Sequence, residues 1–577
     1  MSAMIRDHYV RELDLLRNTA RDFAHENPAL APMLGEPCHD PDVERLLEGV
    51  AFLTGAIRQK IEDEFPEVVH DLLRRVWPHV LKPLPSATLL AFFPDPKLSE
   101  PRTVKRGTFV DSGVAGGQGC RFRTCADVEV HPLEIRDASY MNPPGQRPWI
   151  RVCFELKNQD LVSFSADRLR LHLGGPYREA ARIFQVLVQH VRDVVIGTEE
   201  DGPLFRPGFS SLAPWGFADD EALIPWPSHA FEGFRLIQEY FLLPEKFLFI
   251  ELKNLSAWTR RPPSRFFYLD FVLDRVPEGG LSCGARHFVL FATPAVNVYP
   301  QNASPVIVDH GRTDYPVRPA EHEKSSRIYS IENVWGYFEG QSDGLAIPEY
   351  QGHLSPESPC VYRERLTLHP VHDRVDVSVS LAFAPRKHAP VLKSLAFDVL
   401  VTQGEAPEKL KAGELWHLLA GAPESVRVKN LRKPTVSLVP PLGSPALWRF
   451  ISLFSLNVLS LKHADDLKAL LCLFVSQNSR DRHSVRMNEH KISGIREYRS
   501  RHTDRLIKGT LVRGLEVTLV VSRSHFAGMG DLALFGTVMS RFFGMYSAIN
   551  TFTRLTIEEA DTGETLCWEA RMGRTAL

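Results

Sequence analysis

The sequence predicts an α+β fold with a helical N-terminal segment, a β-rich and mainly antiparallel middle, and a mixed α/β C-terminal part. Three observations predict it. Apolar residues recur every three or four positions over roughly the first 80 residues, alternate with polar residues from about Thr88, and return to the three-to-four spacing near the C-terminus. These are the periods of a helix and of a half-buried strand. The chain divides accordingly into segments 1–85, 86–360, 361–445 and 446–577.

The first segment reads as helices. Tyr9, Leu13, Leu16, Ala20 and Phe23 make one stripe, and Pro28 and Pro32 interrupt it. Asp40 followed by Pro41 suits an N-cap and a first helical position. Val43, Leu46, Leu47, Val50, Leu53, Ile57 and Ile61 then form a second stripe, and Pro66 opens a third with Val69, Leu72, Leu73 and Val76. Pro78, Pro83 and Pro85 stop the pattern. Stripes of this kind either pack on one another or meet the helices of another subunit.

Strict alternation follows over 168–173, 375–383 and 395–401. Many short alternating runs punctuated by Gly and Pro indicate antiparallel sheets, sandwiches or barrels. One middle stretch differs. A short helix from Gly233, with Leu236, Ile237, Tyr240 and Phe241 on one face, ends at Pro244 and leads into a strand over 247–252 that is apolar on both faces until Glu251. A strand apolar on both faces is buried on both sides, so this stretch is expected at the core of the middle region. Towards the end, 448–461 is apolar with helical or buried-strand character. Asp465 or Asp466 can cap a helix through Leu467, Leu470, Leu471 and Phe474. A strand over 515–521 precedes Gly528 and Gly530 and a helix carrying Phe535, Phe542, Phe543, Tyr546 and Ile549, with Asn550 as its stop.

Composition narrows the function. The 577 residues are 44% hydrophobic and 24% charged, with a formal net charge of -2. That is ordinary globular material for two to five domains, without the basic excess of a nucleic-acid binder. The charged stretch Arg480 to Arg505 reads as solvated. Eight cysteines are scattered without a C-x-x-C pair, which speaks against a zinc ribbon and fits thiols in a reducing cytosol. The N-terminus lacks the pattern of a signal peptide, and no run of about 20 uncharged apolar residues suggests a membrane span.

Motifs for chemistry are sparse. The sequence contains no phosphate loop, nucleophile elbow, H-E-x-x-H or EF-hand pattern. His369, His372 and Asp373 offer metal-type donors in what reads as a turn. Asp309, His310 and Asp314 offer a base and its partner in a proline-bounded loop. Asp219, Asp220 and Glu221 form an acidic triplet that a hydrated turn explains. No catalytic residue, metal ligand or cofactor site is assigned, and the expectation is a scaffold rather than an enzyme.

Several long motifs resemble one family in its order. YVRELDLLR from Tyr9, DPDVERLLE from Asp40 and DEFPE from Asp63 are followed by GFRLIQEYFLLPEKFLF from Gly233 and TPAVNVYP from Thr293. DYPV from Asp314, WRFISLFSLNVLSL from Trp448 and LFGTVMSRFFGMYSAINTFTRL from Leu534 complete the series. They resemble the TssF family, subunits of the type VI secretion baseplate related to wedge proteins of contractile tails. The resemblance implies wedges built with TssG, TssE and TssK around the VgrG spike. It also implies a second copy of the chain per wedge, and a cytoplasmic place at a membrane-docked apparatus without insertion into the membrane. Tyr9, Leu13, Leu16 and Phe23 would then join a bundle with TssG, and Phe535, Phe542 and Tyr546 would anchor an assembly contact. Near Thr402 the family's Cys-Thr-Asn-Arg type strand ending is missing. The alternatives are a phage-tail or extracellular-injection baseplate subunit, and an enzyme using His369/His372 or Asp309/His310.

Overall fold

A computed structural model describes residues 3–26, 41–62, 66–113, 119–198, 204–226, 230–309, 311–323, 325–350, 359–369, 374–383, 391–419, 421–442, 447, 450, 463–475, 479–507, 510–547 and 550–573. The chain opens with α1 (Ala3–Glu26), α2 (Pro41–Glu62) and α3 (Pro66–Val76). α1 and α2 pack along each other, with Leu13 and Ala51 buried and Arg17 ion-paired to Glu44. α3 turns inward. Its Val69 and Leu73, with Trp77 just beyond, enter the main core, where Trp77 meets Phe234 edge-on at 4.6 Å.

Strands dominate the middle, and their pairing is antiparallel. A six-stranded sheet runs in the order 417–418, 109–111, 121–124, 292–296, 87–94 and 426–430. Two four-stranded sheets lie beside it, 212–215/249–252/169–173/288–290 and 133–141/149–156/266–273/191–197. The strand Phe249–Leu252 is buried along its length, with its one charged residue, Glu251, paired to Arg170 and Lys253. Hydrogen bonding runs across distant segments, since Ala87–Pro94 pairs with Val426–Asn430.

Helix α4 (Tyr177–Gln189) and helix α5 (Glu232–Leu242) belong to this body. Residues 299–402 instead carry a core of their own. Tyr299–Asn302, Arg327–Phe338 and Leu392–Thr402 form one sheet, and Asp314–Pro316, Cys360–Leu368 and Val375–Phe383 another, around Phe397, Val399, Val379 and Tyr315.

The C-terminal part adds α6 (Ala464–Leu473), α7 (Arg482–Ser493) and a sheet entered by the long pair Ile495–Ile507 and Thr510–Val521. Helix α8 (Met529–Tyr546) connects Thr510–Val521 to Thr551–Glu559, and those two strands run parallel. A parallel pair requires such a crossover. Asn550 adopts φ 67° just past α8, a left-handed conformation that asparagine tolerates. α6 begins differently from expectation. His463 is its N-cap residue, and Asp466 reaches back to accept the His463 N–H at 3.2 Å. Of the apolar stretch 448–461 only Phe450 is described, and it is buried.

Candidate assembly surfaces

The N-terminal stripe residues are placed unevenly. Leu13 is buried, Tyr9 and Leu16 are half-buried, and Phe23 is exposed. The more open surface lies on α2. Its Val43, Leu47 and Ala51 face α1, while Leu46 is 68% and Leu53 63% exposed, with Val50 and Phe52 exposed beside them. α2 therefore presents apolar residues on two faces, and α1 covers one.

The C-terminal aromatics take the opposite position. Phe542 is fully buried, its ring 6.0 Å from Phe231, 5.9 Å from Phe234 and 5.5 Å from Phe543. Phe535 is buried against Tyr240 and Phe526. These side chains form the core of their own chain, because α8 is packed on by α4, α5 and Thr551–Glu559. The helices approach so closely that a Cβ on Gly530 would lie 2.4 Å from the Ala181 backbone. Only a glycine fits there. The Tyr546 side chain lies outside the described residues.

Two buried charge networks hold this body together, and periodicity alone did not reveal them. Arg235 and Glu239 stand four apart on α5, and Lys246 follows just after it. All three are sealed from solvent. Glu239 takes the Lys246 ammonium and the Arg235 guanidinium (3.3 Å), and it also accepts the Leu223 N–H at 2.8 Å. Burial pulls the Lys246 pKa down, and Glu239 opposes that pull. Arg235 donates further to the Phe217 and Ala218 carbonyls and reaches Asp219. The acidic triplet 219–221 thus serves as a cap and partner, with Glu221 accepting the Gly216 and Ala218 N–H groups.

The second network centres on Asp531 at the start of α8. It accepts from Tyr177 (2.6 Å), Tyr240 (3.3 Å), Lys491 (2.9 Å) and the Ala527 N–H (3.0 Å). Burial and the Asp531 charge hold both tyrosines well above their usual range. Charges in an apolar interior persist when paired and hydrogen-bonded, and both networks meet that condition. Charged residues inside the apolar stripe of α5 were the available sequence signal.

The altered strand ending at Thr402 forms a clasp. Asn297 accepts from Thr402 Oγ1 (2.9 Å) and the Gln403 N–H (2.7 Å) and donates to the Arg121 carbonyl and Gln403 Oε1. Gln403 in turn donates to the Gly119 carbonyl and accepts the Arg121 N–H. This amide pair fastens the 299–402 unit to the six-stranded sheet at the point where the chain leaves and re-enters.

Of the other chemical candidates, Asp309 and Asp314 are engaged in ion pairs. His310, His372 and Asp373 lie outside the described residues. Asp309 faces Arg312, and Asp314 binds Arg365. Among the described residues no three His, Cys, Asp or Glu side chains converge on one point. Cys120 and Cys125 are separate thiols, pushed by burial up to about 11 and about 12. No described helix is long and apolar enough to cross a membrane.

Paired charges inside the body and an uncovered apolar face on α2 fit a component of a larger assembly. The type VI secretion system TssF family model matches residues 1–575, and the chain belongs to that family of baseplate subunits. It is 29% identical to the type VI secretion system component TssF1 of Pseudomonas aeruginosa, over 99% of both chains. It superposes with a TM-score of 0.77 and 26% identity on a chain of the type VI secretion TssK–TssF–TssG baseplate subcomplex, covering 92% of this chain and 99% of that one. A chain of the type VI secretion baseplate complex shares the fold with a TM-score of 0.70 at 24% identity, over 99% of this chain and all of the other.

Proposed function

We propose that this chain builds baseplate wedges with a TssG-like protein, TssK-like proteins and a TssE-like protein around a VgrG spike, giving the sheath and tube their platform. The observation that carries the reading is the uncovered apolar face of α2, since exposed apolar patches on a folded chain mark a partner's place. Within segment 1–85, α1 and α2 are then the partner-binding bundle. Segment 86–360 supplies the body, and the 299–402 unit that spans the 360/361 boundary is the arm. The rest of 361–445 returns to the body's sheet, and 446–577 is the mixed domain packed on the body through α8. Two copies serve each wedge, in the cytoplasm beside the docked apparatus, and neither nucleic acid nor membrane is bound directly. The role is one of packing rather than turnover, and no cofactor is needed. The solved subcomplex containing TssK, TssF and TssG supports the choice of the TssG-like and TssK-like partners.

The test is co-expression of the tagged chain with its genomic neighbours. Retention of the TssG-like and TssK-like proteins through purification is expected. A chain that purifies alone, folded and indifferent to both, would overturn the reading.

A further inference from the structure

The hairpin of α1 and α2 stands apart from the cores of the chain. Among the described residues, the three hydrophobic cores begin at Val69, and none takes a side chain from α1 or α2. The hairpin is therefore held by its own seam. The buried residues of α1 and α2 are Glu12, Leu13, Ala51 and Gly55, which is one leucine, one methyl group, a carboxylate and a glycine. Tyr9, Leu16, Val43 and Leu47 are only half-buried. Against this, Val10, Leu15 and Phe23 of α1 are exposed, as are the four apolar residues of α2 named above.

The two helices do not make up for this locally. Helices of 24 and 22 residues draw most of their stability in water from a packed apolar face. α1 has no acidic residue in its first turn to meet its dipole. It carries Asn18 and Thr19 at exposed interior positions, and Thr19 donates back to the Leu15 carbonyl at 2.8 Å. Both are weaker helix formers than alanine, and such back-bonding does not help. α2 has Gly49 in its interior, with nothing within 4 Å of the place a Cβ would take. The glycine weakens the helix, and among the described residues no packing offsets it. α3 is where this changes, since Val69 and Leu73 enter the main core.

We propose that the hairpin is ordered by the partner it receives. In the lone chain residues 3–62 are mostly open, and their folding and the docking of the TssG-like protein are one step. The proposal rests on the baseplate reading, whose partner it uses. The partner supplies the apolar cover that α1 and α2 lack, while the body, with cores of its own, is folded before assembly. Affinity then depends on the fraction of free chain in which the hairpin is formed.

The test is hydrogen exchange, read by mass spectrometry, on the full chain alone and co-purified with the TssG-like and TssK-like proteins. In the lone chain the amides of 3–62 are expected to exchange at nearly unprotected rates, while those of α8 and Phe249–Leu252 stay protected. In the complex the hairpin amides should slow by about a hundredfold or more. A second readout uses Asn18→Ala with Thr19→Ala, which favours the helix without touching a core. Dilution of its complex, followed by mass photometry, should give a dissociation midpoint up to about fivefold lower than the wild type's. Hairpin amides as protected in the lone chain as those of α8 overturn the proposal and leave the baseplate reading standing. So does a midpoint that the alanine variant leaves unchanged. A complex that forms with 3–62 still unprotected overturns it as well, and takes the partner away from α2. A chain that retains neither protein overturns both readings.

Discussion

Helices α2 and α8 both carry apolar residues on more than one side, yet they end in different surroundings. Every described face of α8 is covered by the chain itself, by α4, α5 and the strand Thr551–Glu559. α2 is covered by α1 along one face and leaves Leu46, Val50, Phe52 and Leu53 to solvent. Periodicity specifies that a helix must be covered, and what covers it is decided elsewhere in the chain or in another one. The proposed role thus rests on α2 and core stability on α8, and substitutions can separate the two.

The largest effect is expected in the body. Glu239→Ala would strand the buried Arg235 and Lys246 charges and orphan the Leu223 N–H, at about 3–5 kcal/mol or more. A denaturant midpoint that barely moves would show that the network is incidental to stability. Phe542→Ala removes a ring enclosed by Phe231, Phe234 and Phe543 and should cost about 3–5 kcal/mol. It should leave partner binding intact at temperatures where the variant is folded. A folded Phe542→Ala chain that loses a partner would return α8 to the list of assembly contacts.

A smaller effect follows from His172, buried in the strand Leu169–Leu173 with Nδ1 3.1 Å from the Leu248 carbonyl. Burial first, and the Arg432 charge second, lower its pKa to about 3 in the fold. The unfolded chain takes up this proton near pH 6.5 and the folded chain does not, so the stabilisation is complete above that pH and declines below it. From pH 7.5 to 5.5 this group alone should cost about 1 kcal/mol. Urea midpoints across that range should slope less in His172→Gln, and parallel slopes would refute the assignment. The smallest stability change, within about 0.5 kcal/mol, is expected for Leu46→Asp with Leu53→Asp, because both side chains are already in water.

Much of the fold was legible because its signals are local. The helical stripes, the alternating strands at 169–173 and 375–383 and the doubly buried Phe249–Leu252 follow from backbone periods. The destination of Phe542 was not legible, since Phe231 and Phe234 lie some 300 residues earlier and only the folded chain brings them together. The i,i+4 spacing of Arg235 and Glu239 was readable, but their burial beside Lys246 was not. The bonds that Gln403 makes just past Thr402, to Asn297 and to the Gly119 carbonyl, were not legible, since their partners lie more than 100 residues earlier. The stripes on α1 and α2 were legible, but which of their residues stay uncovered was not. The wider surface on α2 emerged once α1 was seen to cover just one of its faces.

The most direct test is native mass spectrometry of the chain co-expressed with its TssG-like neighbour, as wild type and as Leu46→Asp with Leu53→Asp. The account predicts two copies of the wild-type chain per TssG-like protein and a free, folded variant. A variant that assembles as the wild type does, or a wild type that remains a lone monomer, would contradict it.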